Sequence, residues 1–507
     1  MTGWTIATVL AAAEAAGPKV ALRCEDRRVT FEQLLSRSER LASGLAAAGA
    51  GPGDRIALLC RNSVESVELF LAAARLGAVL VPMEIGLRRL EVDHLLRETG
   101  AGWLFADWSG WDVAGGLEGL GDGLVPVAIG GELRTAAGDP IAAFEDLLSE
   151  EEGRWTDFAA APEQPLLLRF ARGGSGLPRA WSHSHSDVLA SALRQMREFE
   201  LGRDDVYVSA PGTCWALDPR DLSLAAWLAG ATVELAPARR FHPAAHCAAL
   251  AAAEASATVI SASQLRMMLS SGALAAASLD RLRVLCVGAS VRNRLLEDVA
   301  EELPDCLLAQ VYAHPGFPGG VASIGPEEAA ERPGSSGRAL PGCELAILAG
   351  NGEPLPAGCV GEVACRALAV LGAGEDGGWL GTGDRGYLDS DGYLFVSERG
   401  AETILSGGLD VSLAEVEAIL GEHDAVAEIA LVPVPDDALG EASLAHVVTR
   451  PGRRLAPSLL TEYAQSRLAP HKVPLDWVLH EEPLPRASCG RLEKRSLAVA
   501  GLGSQVA

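Results

Sequence analysis

The sequence has almost no lysine: Lys19, Lys472 and Lys494 are the only three among 507 residues, and every other basic side chain is arginine. Basic residues are also outnumbered, 42 against 67 acidic ones, which gives a formal net charge of -25. Because such a chain repels phosphate backbones, nucleic acids are excluded as general partners. Long apolar runs are missing too, since even the stretch 69–87 contains charged residues, and we expect no transmembrane helix.

The ten cysteines form no CxxC pair and have no spacing typical of a metal site. This pattern predicts free, buried thiols in a reducing compartment, and no metal-binding residues are assigned. The N-terminus has no basic segment followed by a long apolar run, so no signal peptide is evident. We therefore expect a soluble cytoplasmic protein that binds neither membranes nor nucleic acids.

The chain is long enough for more than one hydrophobic core, because 49% of its 507 residues are apolar. Helical and strand-like runs alternate through residues 1–160, and again from 160 to 300, which predicts βαβ units with parallel strands. Residues 335–400 change to short strands separated by turns. The remainder predicts a compact α+β unit, with helices at 412–421 and 457–468 and strands near 426–434, 442–449 and 476–480.

The stretch 379–420 is the most informative part of the sequence. Its Thr-Gly-Asp triplet predicts that Asp384 lies on a tight glycine turn, and residues 389–392 predict a hairpin turn before an apolar strand. Ser412 and Glu415 have the spacing of a capping box at the start of a helix. In the order of these features the stretch resembles the domain junction of the adenylate-forming superfamily, which includes acyl-CoA synthetases, peptide-synthetase adenylation domains and luciferases.

This resemblance implies an α/β fold in two parts. Residues 1–400 would form a large N-terminal domain of layered βαβ subdomains plus a β-rich subdomain, and residues 401–507 a small, mobile α+β C-terminal domain. It also implies an acyl-CoA ligase, an enzyme that joins CoA to an acyl group through an acyl-AMP intermediate. Residues 62–84 resemble the opening of the same family.

The resemblance also assigns residues to the AMP moiety. Asp384 would hold both ribose hydroxyls, because a carboxylate accepts two hydrogen bonds well. Arg399 would support the ribose and the phosphate, and Tyr312 would stack near the adenine. The other residues expected around the AMP moiety are Gly288, Ala289, Ser290, Ala313 and Gly337.

Motifs that the family uses on ATP are degraded. A glycine-rich loop presents backbone N–H groups to phosphates, and here the loop has lost most of its hydroxyls and carries Arg179 in place of the family's lysine. The residues that remain in this loop are Gly173, Gly174, Ser175 and Gly176. Pyrophosphate should therefore be held less well.

Three further positions differ from the family. After Tyr312, Pro315 replaces a threonine and Gly316 replaces the glutamate that positions Mg²⁺. Arg491 stands where a lysine contacts the substrate carboxylate and the α-phosphate, and its planar guanidinium has a different reach. General drift from lysine to arginine is an alternative explanation for Arg179 and Arg491, but it does not explain Gly316. A displaced register at this loop, or another acid in the glutamate's place, also stays open.

By contrast, the family's residues for thioester formation are present. Glu402 lies at the hinge position and Lys472 at a common family position, while Ser406, Gly407 and Gly408 form the bend that lies along the pantetheine arm in CoA ligases. These retentions favour a ligase specialised for the thioester-forming half-reaction, with weak or absent adenylation, like the non-adenylating ligases of natural-product biosynthesis. Its substrate would be a carboxylic acid supplied as acyl-AMP, and a separate adenylating enzyme would be the partner that makes it.

Two alternatives stay open: a complete synthetase that uses ATP and Mg²⁺, and a non-catalytic nucleotide-binding scaffold. A carrier-bound pantetheine could also replace CoA as the acceptor. The acyl pocket is assigned to Trp215, His314 and Gly316. Small residues at Ala289, Ala313 and Gly316 favour a bulky acid over acetate.

Overall fold

The chain is described from a computed structural model. The residues described are 6, 18–84, 87–115, 123–135, 138–149, 161–172, 178–209, 221–236, 241–288, 293–314, 316–367, 378–398, 403–407, 409–450, 452–453, 455–480, 482–485, 494 and 497.

The helices of these residues are α1 (Phe31–Ala47), α2 (Val64–Leu76), α3 (Arg89–Thr99), α4 (Trp108–Val113), α5 (His185–Glu198), α6 (Ser223–Leu228), α7 (Pro243–Ala252), α8 (Ala262–Ser270), α9 (Asn293–Glu302), α10 (Pro326–Glu331), α11 (Leu413–Gly421) and α12 (Pro457–Arg467), with 3-10 helices at Phe144–Leu147 and Pro470–Lys472. The strands are β1 (Val20–Cys24), β2 (Arg27–Thr30), β3 (Arg55–Leu59), β4 (Val79–Pro82), β5 (Trp103–Ala106), β6 (Val125–Ala128), β7 (Ala142–Ala143), β8 (Pro165–Arg172), β9 (Pro178–Ser184), β10 (Val206–Val208), β11 (Thr232–Leu235), β12 (Ala257–Ser261), β13 (Val284–Gly288), β14 (Leu307–Ala313), β15 (Gly320–Ile324), β16 (Arg338–Ala339), β17 (Cys343–Leu348), β18 (Gly361–Ala367), β19 (Leu380–Leu388), β20 (Leu394–Glu398), β21 (Thr403–Ser406), β22 (Leu409–Ser412), β23 (Val426–Asp436), β24 (Gly440–Thr449) and β25 (Asp476–His480).

Two largely parallel sheets form the first part of the chain, as the alternation of helices and strands predicts. In the described residues, one sheet has seven strands in the order β7-β6-β5-β3-β4-β8-β9, and the other has nine in the order β16-β15-β14-β13-β12-β10-β11-β1-β2. The connections follow the helix signals of the sequence. Helix α2, for example, begins behind Ser63, whose hydroxyl accepts the Ser66 N–H, and ends at Gly77, whose φ of 71° is left-handed.

One hydrophobic core joins these two sheets. Helices α1, α2 and α6 contribute to it together with strands of both sheets. Its largest fully buried side chain is Trp227, whose indole N–H donates to the Ala21 carbonyl at 2.8 Å. The burial therefore leaves no unsatisfied donor on this indole.

Short antiparallel strands follow, also as predicted. The sheet order is β17-β18-β19-β20. The turn at residues 389–392 closes the β19–β20 hairpin, with the Gly392 N–H donating to the Asp389 carbonyl at 3.1 Å. The tight turn predicted at Asp384 is wrong, because the Thr-Gly-Asp triplet lies inside strand β19.

The C-terminal elements match their predicted positions closely. Strands β21 to β25 form one sheet, and helices α11 and α12 pack with it around a core that includes Val416, Leu431 and Leu460. Only half of the predicted capping box is formed: the Ser412 hydroxyl accepts the Glu415 N–H at 3.2 Å, but the Glu415 carboxylate contacts Lys472. The boundary at residues 400 and 401 lies outside the described residues and stays a prediction.

Two expectations concern the chain as a whole. The eight cysteines in the described ranges are free, and all except Cys306 and Cys359 are buried. Among the helices that the structure describes, none is both long and apolar enough to cross a membrane.

Candidate active site

Three of the predicted AMP-binding residues lie at the carboxyl ends of neighbouring strands. Gly288 ends β13 and pairs with Val311 of the parallel strand β14, and Tyr312 and Ala313 close β14. Ligands of parallel α/β sheets bind at this edge. Strand order therefore brings residues from two separate motifs to one edge of the nine-stranded sheet.

Tyr312 and Asp384 meet across 72 residues of sequence. The Tyr312 hydroxyl donates to Oδ2 of Asp384 at 2.7 Å. The tyrosine ring is buried among residues of the β15 and β17–β20 region, such as Val321 and Val363. Burial, followed by the charge of Asp384, raises the pKa of Tyr312 well above its ordinary value. The Tyr312 hydroxyl therefore stays protonated and donates a hydrogen bond to the Asp384 carboxylate.

Asp384 lies in an irregular segment of strand β19. Between the pairs Ala364–Gly381 and Glu362–Arg385, β19 spans more residues than its partner β18 does. Gly383 lies in this segment with a φ of 77°, a conformation that favours glycine. Bulges of this kind redirect a side chain out of its strand's alternation. Gly383 thus helps to set the direction of the Asp384 side chain, although it does not form a tight turn.

Gly337 joins the large sheet to strand β20. Its φ is 92°, and a Cβ at this position would overlap the carbonyl oxygen of Ser323. Its own carbonyl accepts the Leu394 N–H at 2.8 Å. Only glycine fits there, whether or not the residue also contacts adenine.

These residues fit an AMP moiety. The Asp384 carboxylate is partly exposed and is an acceptor suited to a ribose diol, and the buried Tyr312 beside it holds that carboxylate in place. The contacts that Gly288, Ala313 and Gly337 would make with the nucleotide stay predictions.

Four residues after Tyr312, Gly316 packs against the indole of Trp181. A Cβ on Gly316 would lie 2.6 Å from both Cε3 and Cζ3 of Trp181, far inside normal contact distance. The Gly316 N–H donates to Nδ1 of His314 at 3.1 Å. The His314 ring in turn packs edge-on against the indole, with 5.5 Å between ring centroids. We call Trp181, His314 and Gly316 the Trp181 cluster.

The Trp181 cluster changes two expectations. The open space expected beside Gly316 is occupied by an indole, so this glycine does not widen an acyl pocket on that face. A glutamate at position 316 would also find no room in this arrangement. In the described part of the chain there is no group of three or more His, Cys, Asp and Glu residues that could hold a metal ion.

The predicted pantetheine bend is a hairpin. Ser406 pairs with Leu409 across the β21–β22 turn and is buried, so its side chain is not available to a ligand in this arrangement. Gly407 has a φ of 62°, and its N–H donates to the Leu439 carbonyl at 2.9 Å. The bend is therefore confirmed as local structure, and its contact with CoA stays a prediction.

Several predicted site residues lie outside the described residues, and their assignments stay predictions: Gly173, Gly174, Ser175, Gly176, Trp215, Ala289, Ser290, Arg399, Glu402, Gly408 and Arg491. The strands on either side of the glycine-rich loop are described. They pair up to Arg172 and Pro178, and the backbone of Arg179 pairs with Ala171.

Sequence reasoning missed Trp181. It lies on strand β9, two residues after Arg179, just past the end of the phosphate-loop motif. A bulky aromatic residue next to a degraded loop was the available signal, in a chain with only 5% aromatic residues. Its contact with Gly316 crosses 135 positions and required the fold.

Known proteins match the chain along its whole length. The model of the AMP-binding enzyme family matches residues 9–372, and the model of the AMP-binding enzyme C-terminal domain matches residues 415–491. The chain is 30% identical over 489 residues to the indoleacetate–CoA ligase of Aromatoleum aromaticum, which covers 94% of both chains. It is also 30% identical over 508 residues to the fatty acid–[acyl-carrier-protein] ligase ScoC of Streptomyces coeruleorubidus, with 94% of this chain and 92% of ScoC covered.

One solved enzyme, o-succinylbenzoate CoA synthetase (MenE) from Bacillus subtilis, matches in two states. A double mutant bound with the product analogue OSB-NCoA gives a TM-score of 0.82 at 24% identity over 98% of both chains. The same enzyme with the acyl-adenylate intermediate OSB-AMP gives 0.67 at the same identity and coverage. These matches confirm the predicted α/β fold with its large N-terminal and small C-terminal domains. The family models and the relatives confirm the predicted enzyme class, an acyl-CoA ligase that uses CoA and an acyl-adenylate, and the chain belongs to the AMP-binding enzyme family.

Proposed function

We propose that this enzyme is specialised for the thioester-forming half-reaction, with weak or absent adenylation. It would take an aryl or fatty acyl group as acyl-AMP, a preference supported by the names of the indoleacetate–CoA ligase and of ScoC. The CoA sulfur bonds to the acyl carbonyl carbon, the bond from that carbon to the phosphate oxygen breaks, and AMP leaves. The acyl-AMP would come from a separate adenylating enzyme.

The packing of Trp181 on Gly316 carries this proposal. Adenylation expels pyrophosphate, and a divalent metal normally neutralises the charge that develops. The family's metal-positioning glutamate corresponds to Gly316, where an indole now fills the space that its side chain would need. The position thus lacks both the carboxylate and the room for one, which supports a loss of metal positioning at this loop.

The nucleotide side supports the same division. Tyr312 and Asp384 remain hydrogen-bonded at 2.7 Å beside the carboxyl end of β14. Thiolate attack on a mixed anhydride depends mainly on orientation and on exclusion of water. An enzyme that binds the AMP moiety and a thiol therefore has what this step requires, even when pyrophosphate is poorly held.

Carrier-protein loading is a second candidate for the acceptor, because ScoC, one of the relatives, is named as an acyl-carrier-protein ligase. CoA and a carrier protein present the same pantetheine thiol. Supplying CoA and a carrier protein in turn, each with the same acyl-AMP, therefore determines which of them is the acceptor.

A split assay tests the proposal. One arm supplies ATP, Mg²⁺, CoA and a pool of aromatic and fatty acids, and the other supplies CoA with synthetic aryl-, fatty acyl- and acetyl-AMP. We expect thioester from the bulky acyl-AMPs at a rate at least about a hundredfold above the ATP arm, a barrier difference of about 2.7 kcal/mol. Equal rates in both arms would establish a complete synthetase, and no product from either would favour a scaffold.

Two variants link the assay to the Trp181 cluster. Trp181→Val makes room beside position 316, and Trp181→Val combined with Gly316→Glu also restores the carboxylate. We expect the double variant to release pyrophosphate about tenfold faster than Trp181→Val alone, since a metal-positioning group is worth at least about 1.4 kcal/mol. Equal release by both variants would remove the argument from Gly316.

A further inference from the structure

A buried ion network joins the two regions that the family models match separately. Lys472, in the 3-10 helix Pro470–Lys472, contacts Oε1 of Glu91 on helix α3 and Oε1 of Glu415 on helix α11, the latter at 2.8 Å. Glu91 belongs to the region 9–372, and the other two residues belong to the region 415–491. Lys472 thus contacts a carboxylate on each side of the domain boundary.

Main-chain groups reinforce this contact. The second oxygen of Glu91, Oε2, accepts the Ala469 N–H at 3.1 Å and the Arg88 N–H at 2.8 Å. The Arg88 guanidinium returns the contact, with Nε donating to the Leu468 carbonyl at 3.0 Å. Three hydrogen bonds, including that of Lys472, therefore join Arg88 and Glu91, at the start of α3, to the segment 468–472.

The network is buried, so its geometry matters energetically. Lys472 is 8% exposed, Glu91 7% and Glu415 4%. Burial alone would lower the pKa of Lys472, but the charges of Glu415 and Glu91 outweigh it and raise the pKa above its ordinary value. Removing one partner of such a network destabilises it strongly, because a charge is left buried and unpaired.

The type of residue is itself informative. In a chain with 42 basic residues and only three lysines, Lys472 has not become arginine. An ammonium is compact and can donate in three directions, toward carboxylates on two different elements, whereas a guanidinium is larger and its donors lie in one plane. The position between the carboxylates of Glu91 and Glu415 therefore suits the ammonium group of lysine better than a guanidinium.

Movement of the C-terminal domain would separate these three residues unequally. Glu415 and Lys472 would stay together, while Glu91 would part from Lys472 and Ala469. The whole chain gives a TM-score of 0.82 with the product-analogue complex of MenE and of 0.67 with its acyl-adenylate complex. The network is therefore part of a structure that is more similar to the former complex.

We infer that Glu91 and Lys472 are positioning residues, which hold the C-terminal domain against helix α3 in the arrangement used for thioester formation. The link to that step rests on the proposed function, whereas the link to domain arrangement does not. Neither residue needs to touch the reacting atoms.

The test uses the full-length protein with Glu91→Gln, which keeps the shape of the side chain and removes its charge, and with Lys472→Arg, which keeps the charge. Glu417→Gln is the matched control. Glu417, on α11, also pairs with a lysine, Lys494, at 2.7 Å, but both residues of that pair lie on the C-terminal side of the predicted domain boundary. Thermal unfolding verifies that each variant folds.

Amide hydrogen exchange gives a readout independent of activity. We expect Glu91→Gln and Lys472→Arg to speed exchange at least about tenfold at Ala469, whose N–H donates to Glu91, with no change in Glu417→Gln. With a synthetic acyl-AMP and CoA, kcat should fall about tenfold in the first two variants while KM for acyl-AMP stays constant.

The outcomes are separable. Unchanged exchange at Ala469 in Glu91→Gln, or an equal increase in Glu417→Gln, would overturn the inference. Faster exchange in a protein whose rate of thioester formation is unchanged would also overturn it. If the wild-type chain forms no thioester from any acyl-AMP, the proposed function fails, and exchange at Ala469 together with small-angle scattering of Glu91→Gln still decides whether the network holds the domains.

Discussion

Tyr312, near the end of β14, and Gly316, just after that strand, differ in the groups that surround them. Toward β19, Tyr312 donates to the Asp384 carboxylate, and a polar, partly exposed site remains. Four residues later, Gly316 packs under the Trp181 indole. Under the proposed function, this difference means that packing fills the ATP-specific part of the site, while the nucleotide part keeps the hydrogen bond between Tyr312 and Asp384.

The largest expected effect is on the nucleotide side. Asp384→Ala should lower kcat/KM for acyl-AMP by about a thousandfold, because two charge-assisted hydrogen bonds to the ribose contribute about 2 kcal/mol each. Thioester formation from synthetic acyl-AMP measures this. Asp391→Ala, an exposed carboxylate of the β19–β20 turn, is the control and should stay within about twofold. A loss below tenfold for Asp384→Ala would mean that the nucleotide is held elsewhere.

On the packed side the first effect is on stability. Gly316→Glu should lower the free energy of unfolding by about 3 kcal/mol, since its Cβ would meet the Trp181 ring at 2.6 Å and the backbone is tied to His314. Urea unfolding measures this. Adding Trp181→Val should restore part of the loss, and a single variant as stable as the wild type would show that the indole moves aside freely.

Acid should affect the strand of Trp181 before it affects Tyr312. His185 directly follows β9, is 1% exposed, and burial lowers its pKa to about 4. The unfolded chain, with an ordinary histidine pKa near 6.5, therefore takes up the proton first. Stability is complete above about pH 6.5 and falls as the pH drops toward 4, by roughly 1.5 kcal/mol between pH 6.5 and 5 for this one group.

Urea unfolding at a series of pH values measures this slope, and His185→Phe should remove one group's share of it. The rest of the slope should remain, because burial also lowers the pKa of His246 and His446 to about 4. The pKa of Tyr312 is raised, so its hydroxyl stays protonated throughout this range. An unchanged slope in His185→Phe would place the acid sensitivity elsewhere.

The smallest expected effect is that of Tyr312→Phe. It removes one hydrogen bond to Asp384 and keeps the packed ring, so KM for acyl-AMP should rise about fivefold, equivalent to roughly 1 kcal/mol. Steady-state kinetics with acyl-AMP measures it. A rise as large as that of Asp384→Ala would mean that the tyrosine binds the nucleotide itself.

Much of the fold could be predicted from sequence because its signals are local. The helix near 412–421 and the strands around it followed from spacing and turn residues, and they lie within a few residues of their observed positions. The meeting of Tyr312 and Asp384 followed only from resemblance to a family, since nothing local joins residues 72 positions apart.

The errors occurred where tertiary contacts compete with local rules. Glu415 has the spacing of a capping box, but Lys472, 57 residues away, takes its carboxylate. Gly383 reads as a turn glycine, yet pairing with β18 draws it into a strand. Trp181 carried no motif at all, and its role depends on which residue it packs against.

The packing of Trp181 on Gly316 also has an evolutionary consequence. A change to glutamate at position 316 meets a clash if it occurs first, whereas loss of the indole first removes its packing against Gly316 and His314. Each single step is thus harmful on the way to a pair that would work together. Under the proposed function, selection acting on one substitution at a time would tend to keep such a lineage dependent on activated acids made by other enzymes.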